Sequence, residues 1–120
     1  MNDVDSRLQA LHARYRASLP GKYASLDLAW HSLCADAADP ERFDVLRRLV
    51  HRLAGSASSY GLADVGLAAA EANALLDELR NDADGSLQAA PAAGRFERAR
   101  MPIERLLHIL EHEIQVDAGS

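Results

Sequence analysis

An all-α fold, arranged as an antiparallel helical bundle, is what this sequence predicts, and three observations lead there. Apolar residues recur at helical spacing along most of the chain, and no stretch alternates polar and apolar residues as a half-buried strand would. Only 5% of residues are aromatic although 48% are hydrophobic, so Ala and Leu supply most of the apolar content and suit helices that approach closely. Short links between the periodic segments favour antiparallel neighbours. The 120 residues suffice for one compact core and not for two, so 1–120 reads as a single domain without internal repeats.

The first helix is expected over 6–18, with Ser6 as N-cap and Leu8, Leu11, Tyr15 and Leu19 facing inward. Pro20-Gly21 then interrupts the pattern, or kinks one longer helix, since proline suits a first helical turn. A second helix over 22–37 carries Tyr23, Leu26, Trp30, Leu33 and Cys34 or Ala37 on one face. Asp39-Pro40-Glu41 reads as a restart: an Asp N-cap, Pro at the first helical position and an acidic first turn that complements the dipole. That third helix should end near Tyr60-Gly61. The fourth, over 62–81, turns Leu62, Val65, Ala69, Ala72, Leu76 and Leu79 inward. Residues 82–94, with Gly85, Pro91 and Gly94, read as a mobile loop. The last helix, over 95–116, aligns Phe96, Ile103, Leu106, Leu110 and Ile114, with Pro102 marking either a kink or a start near Met101.

The formal charge of −5 argues against nucleic acid, whose phosphates require a basic surface. Cys34 is the only cysteine, which removes an intrachain disulfide and any cysteine-based metal cluster, and suits a reducing, cytoplasmic setting. No run reaches the roughly 20 apolar residues needed to cross a bilayer, and the acidic start lacks the apolar segment of a signal peptide. No membrane partner is expected.

Chemistry concentrates on the third helix. At about 100° per residue, Phe43, Leu46, Val50, Leu53, Ala57 and Tyr60 gather into one stripe, and His51 lies roughly 130° from its centre. His51 therefore faces water or a partner. An exposed imidazole, whose reference pKa is about 6.5, is in general largely neutral and nucleophilic near neutral pH, and such a ring can accept a phosphoryl group if space and positive charge are at hand. Gly55, one turn on, supplies space at a cost of roughly 1 kcal/mol of helix propensity that the fold does not require. Arg47 and Arg48, one turn back, and Arg52 supply charge and imply an acidic partner surface.

The run His51-Arg52-Leu53-Ala54-Gly55-Ser56-Ala57, followed by Tyr60-Gly61-Leu62, resembles the signature of histidine-containing phosphotransfer (HPt) domains, H-x-L-x-G-S-A ahead of an apolar-Gly pair. Tyr15 to Leu33 and Leu62 to Leu79 resemble the family's helices before and after the histidine helix. This resemblance implies a four-helix bundle with an additional N-terminal helix, no ATP site and a phosphohistidine intermediate. It makes His51 the phosphorylated residue and Gly55 the clearance beside it. Asn73, near where relatives carry Gln or Glu, would orient the ring or the phosphate; it also reads as an ordinary polar residue at a stripe edge. Relatives commonly carry Lys three residues after the histidine, where this chain has Ala54, so Arg47, Arg48 or Arg52 is expected to substitute.

Elsewhere, His108 and His112 stand one turn apart with Glu104 and Glu111 near, but the order is not that of a zincin helix, and a solvated face is expected with no metal bound. Ser56, Ser58 and Ser59 lack a nucleophile elbow, and Ser56 is expected to bond back to its own helix. Glycine-rich nucleotide loops are absent. The resulting expectation is a monomeric phosphoryl carrier without kinase activity or a cofactor of its own. Its partners would be receiver domains, which bring Mg²⁺, and a hybrid sensor histidine kinase. The alternative is a helical adaptor that binds a partner without being phosphorylated.

Overall fold

The computed structural model describes residues 3–85 and 92–119. Among the described residues there are five α-helices, α1 (Asp3–Ala17), α2 (Leu19–Ala35), α3 (Pro40–Ser56), α4 (Ala63–Gly85) and α5 (Ala92–Gly119), with a 3-10 turn at Ser58–Tyr60 between α3 and α4. No strand occurs among the described residues. Helices α2 to α5 form the bundle: each packs on the next in sequence, and α5 closes back onto α2. Cross-links fix the antiparallel register. Arg47 of α3 meets Asp77 of α4, and Glu71 and Glu78 of α4 meet Arg105 and Arg98 of α5.

The core is aliphatic, as the composition foretells. Leu19, Leu26, Leu33, Leu46, Val50, Val65, Leu76, Leu79, Ile103, Leu106 and Leu110 are almost wholly buried, with Ala69 and Ala72 letting α4 approach its neighbours. All six positions expected to face inward at 62–79 do so. Helix α5 runs unbroken through Pro102 rather than starting near Met101. Ile103, Leu106 and Leu110 hold its stripe in the core and outweigh the backbone hydrogen bond that proline lacks. The Phe96 side chain lies outside the described residues. The expected 82–94 loop is shorter than its composition suggests, because 82–85 and 92–94 are helical; positions 86–91 lie outside the described residues.

Helix α1 departs most from expectation. It starts at Asp3, so Ser6 lies inside it and is no cap; Asp3 and Asp5 in the first turn and Arg14 and Arg16 in the last complement the dipole instead. Leu8 and Leu11 stay 49% and 43% exposed, because no helix covers the first three turns. Docking is confined to the C-terminal half, where the His12 ring meets Tyr60 edge-on at 5.8 Å and the last turn packs closely. There Tyr15 stacks on Tyr60 at 4.3 Å, its hydroxyl meets the Ser56 hydroxyl at 2.7 Å, and Arg16 pairs with Glu113 at 3.3 Å. The chain then passes into α2 through one residue, Ser18, whose dihedrals stay near-helical. Pro20 and Gly21 accordingly begin α2 rather than interrupt a helix. Helix α2 stops at Ala35, two residues early, where the Asp36 N–H turns back to the Ser32 and Leu33 carbonyls. Cys34 is exposed, and Ala37 lies beyond the helix.

Helix α3 opens as its sequence dictates, with the Asp39 carboxylate accepting from the Glu41 N–H at 2.9 Å and Pro40 in the first turn. It closes earlier than Tyr60. After Ser56 the backbone tightens into the 3-10 turn, and Gly61 adopts φ 81°. The Gly61 N–H then bonds Ser58 and the Leu62 N–H bonds Ala57, the paired pattern of a Schellman cap, with apolar Leu62 beyond it. Gly66 lets α4 press against this turn: a Cβ there would collide with the Ser58 hydroxyl and lie 3.1 Å from the Ser58 nitrogen.

Candidate functional site

Helix α3 carries the site because its buried stripe, Leu46, Val50, Leu53 and then Ala57, fixes its rotation. His51 is exposed on the opposite side. Among the described residues, no side chain or backbone group bonds its imidazole. Side chains on a helix lean toward its N-terminus, so the His51 ring lies over the turn carrying Arg47 and Arg48. By the same rule, a side chain at 55 would lie over His51. Gly55 leaves that space open, and a Cβ there would meet nothing within 4 Å. Ala54, half-buried at the edge of the core, is too short to reach the ring.

Three arginines surround His51 in sequence, but their surroundings differ. Arg47 is 18% exposed and held by two carboxylates, Asp44 at 3.2 Å and Asp77 at 3.4 Å. Its Nε is buried with no partner among the described residues. Arg47 thus ties α3 to α4 one turn below His51. Arg48 is 59% exposed and pairs with the other oxygen of Asp44 at 2.8 Å. The hydrogen bond from Arg47 is the largest influence on the Asp44 carboxyl, and together with the charges of Arg48 and Arg47 it outweighs the opposing desolvation and holds the pKa below its ordinary value. Arg52 is exposed, pairs with no described residue, and is among the residues lining a groove beside α2 and α3.

Asn73 comes level with His51 by register. Four residues on from Arg47 along α3 is His51, and four back from its partner Asp77 along antiparallel α4 is Asn73. The Asn73 Oδ1 is buried without a hydrogen-bond partner among the described residues. An unsatisfied buried acceptor is costly in a bundle interior.

Sequence reasoning missed Asp44 and Asp77. Asp44 sits three and four residues before Arg47 and Arg48, a spacing that signals helix ion pairs; Asp77 is brought in by tertiary packing and leaves no local signal. Ser56 does bond back, to the Arg52 carbonyl at 3.0 Å, and also receives Tyr15.

Beyond Arg52, the α2–α3 side of the molecule is a long depression with cavities of about 640 and 550 Å³. Leu28 and Val45, 72% and 45% exposed, border it. His108 and His112 lie on another face, in a groove between α4 and α5 with Asp64, Glu71, Arg105 and Glu113. Among the described residues, no three His, Cys, Asp or Glu side chains are grouped so as to hold a metal. No helix there is long and apolar enough to cross a membrane.

Neither the curated proteins nor the solved structures searched contain a match to this chain. One family model does match, the Hpt domain, over residues 7–116. That span takes in α2, α3, α4 and most of α5, with the exposed histidine and the capped turn behind it, and the chain belongs to the Hpt domain family.

Proposed function

We propose that this protein carries phosphoryl groups in a multistep phosphorelay, taking one from a receiver-domain aspartyl phosphate onto His51 and passing it to another receiver. The observation that carries this reading is His51 itself: exposed, unbonded and cleared by Gly55 in a member of a phosphotransfer family. In the step we envisage, the Nε2 lone pair attacks phosphorus in line. The Nε2–P bond forms as the P–O bond to the receiver aspartate breaks, and that electron pair leaves on the carboxylate. The ring proton stays on Nδ1. Transfer to the second receiver reverses these events. Mg²⁺ and most groups that stabilise the transferring phosphoryl come with the receiver, and this chain provides the nucleophile, local positive charge and a docking face.

Two arginines are exposed enough to meet an incoming phosphoryl group, Arg48 and Arg52, whereas Arg47 is committed to packing α3 on α4. Asn73, level with the ring, would accept from its N–H or orient the phosphate. Apolar Leu28 and Val45 together with Arg52 make the α2–α3 side the surface we assign to receiver docking. The protein would act as a monomer in the cytoplasm, between a hybrid sensor kinase and a response regulator.

Incubation with a phosphorylated receiver tests the reading. Wild type is expected to acquire an acid-labile, base-stable label, and His51→Gln to fold normally and acquire none. Equal labelling of the variant would show that another residue is the acceptor, and receiver binding without labelling of either protein would favour an adaptor.

A further inference from the structure

His51 lacks the lysine that relatives place one turn on, and the arginine best placed to replace it is already engaged. Arg48 is three residues before His51, on the turn over which the His51 ring leans. Yet the natural lean of Arg48 itself is toward Asp44, four residues further back, where the structure finds it at 2.8 Å. Arg47 shares the same carboxylate but has a second anchor in Asp77 and a mostly buried side chain. Arg52, one residue on from His51, lies about 100° around the helix and lines the α2–α3 groove.

We propose that Asp44 is a resting partner for Arg48, and that phosphorylation of His51 draws the Arg48 guanidinium from the Asp44 carboxylate to the phosphoryl group. This inference rests on His51 being the phosphoacceptor. The exchange is favoured because an exposed carboxylate pair within one helix is weak, whereas a phosphoryl group offers a larger negative charge and three acceptor oxygens. Asp44 is not stranded when Arg48 leaves, since Arg47 remains within 3.2 Å. Asp44 lies on the same side of α3 as His51, two turns back, so in the resting state its charge also screens Arg48 from other anions. Arg47 links this carboxylate to α4 through Asp77. The depressed Asp44 pKa agrees with a carboxylate that stays ionised throughout.

Phosphoramidate tests this without any receiver: the His51 Nε2–P bond forms as the donor P–N bond breaks and ammonia leaves. Phosphohistidine on the full chain is followed by ³¹P NMR for wild type, Asp44→Asn, Arg48→Gln and the double variant. Asp44→Asn should raise phosphohistidine occupancy roughly two- to fivefold, the scale of a single exposed charge contact. Arg48→Gln should lower it by a similar factor, and the double variant should match Arg48→Gln alone. An equal effect of Asp44→Asn in both backgrounds, or none in either, overturns the exchange while leaving His51 as acceptor. No phosphorylation of wild-type His51 overturns both. In the wild-type protein, the Arg48 Nε–H resonance should move on phosphorylation while that of Arg47 stays; a stationary Arg48 signal contradicts the exchange independently of any variant's folding.

Discussion

A glycine inside an exposed helix weakens it, so Gly55 makes opposite demands on stability and on function. Its φ is not positive and a Cβ would meet open space. Gly55→Ala should therefore stabilise the fold by up to about 1 kcal/mol in thermal or chemical unfolding, while slowing phosphoryl transfer because the methyl narrows the open space through which a receiver reaches His51. Faster transfer in that variant would remove the clearance argument. The charges nearby have their own pH signature. The Asp44 carboxyl sits below its ordinary value, first through the Arg47 hydrogen bond, so the folded state favours the ionised form. That contribution is complete above the unfolded carboxyl pKa of about 4 and is lost as pH falls through the lower folded value. In an acid titration, the Arg48 side-chain NMR signal should hold steady down to that region and change only below it. His51, Gly55 and the arginines were legible because helical spacing fixes the faces of α3. Asp77 was not, because a contact between helices leaves no local mark.

At the scale of elements, the turn after α3 and the last turn of α1 hold the His51 helix at its C-terminal end. Gly66→Ala should destabilise the protein by roughly 1–3 kcal/mol, because the Ser58 backbone cannot easily yield to the new methyl. Tyr15→Phe keeps the stack on Tyr60 but removes the hydroxyl from Ser56, and should cost roughly 0.5–1.5 kcal/mol by denaturant unfolding. The restart at Asp39-Pro40 could be read from sequence to the residue, since a cap is a local device. The end of α3 could not, because helical spacing continues smoothly through Ala57 and Tyr60 while the backbone changes to a 3-10 turn. Nor could the bareness of α1. The spacing of Leu8, Leu11 and Tyr15 is the same whether or not a neighbour covers it; Tyr15 is covered, while Leu8 and Leu11 stay exposed.

The whole molecule measures 60 × 26 × 20 Å, an elongated bundle whose aliphatic core makes α3 a rigid support for an exposed histidine. Leu46 and Leu106 are wholly buried on α3 and α5, and truncating either to Ala should cost roughly 2–5 kcal/mol. The bundle class followed from composition and spacing, and the chain's membership of the Hpt domain family gives that support a role. Four other histidines provide an internal comparison: His12, His31, His108 and His112 are all exposed, as His51 is, yet lie on other helices. The most direct measurement is therefore to phosphorylate the full chain from a phosphorylated receiver and map the modified residue by tandem mass spectrometry under neutral conditions. The phosphoryl group is expected on His51 and on none of the other four. Phosphoryl spread across the exposed histidines, or absent from His51, would contradict it.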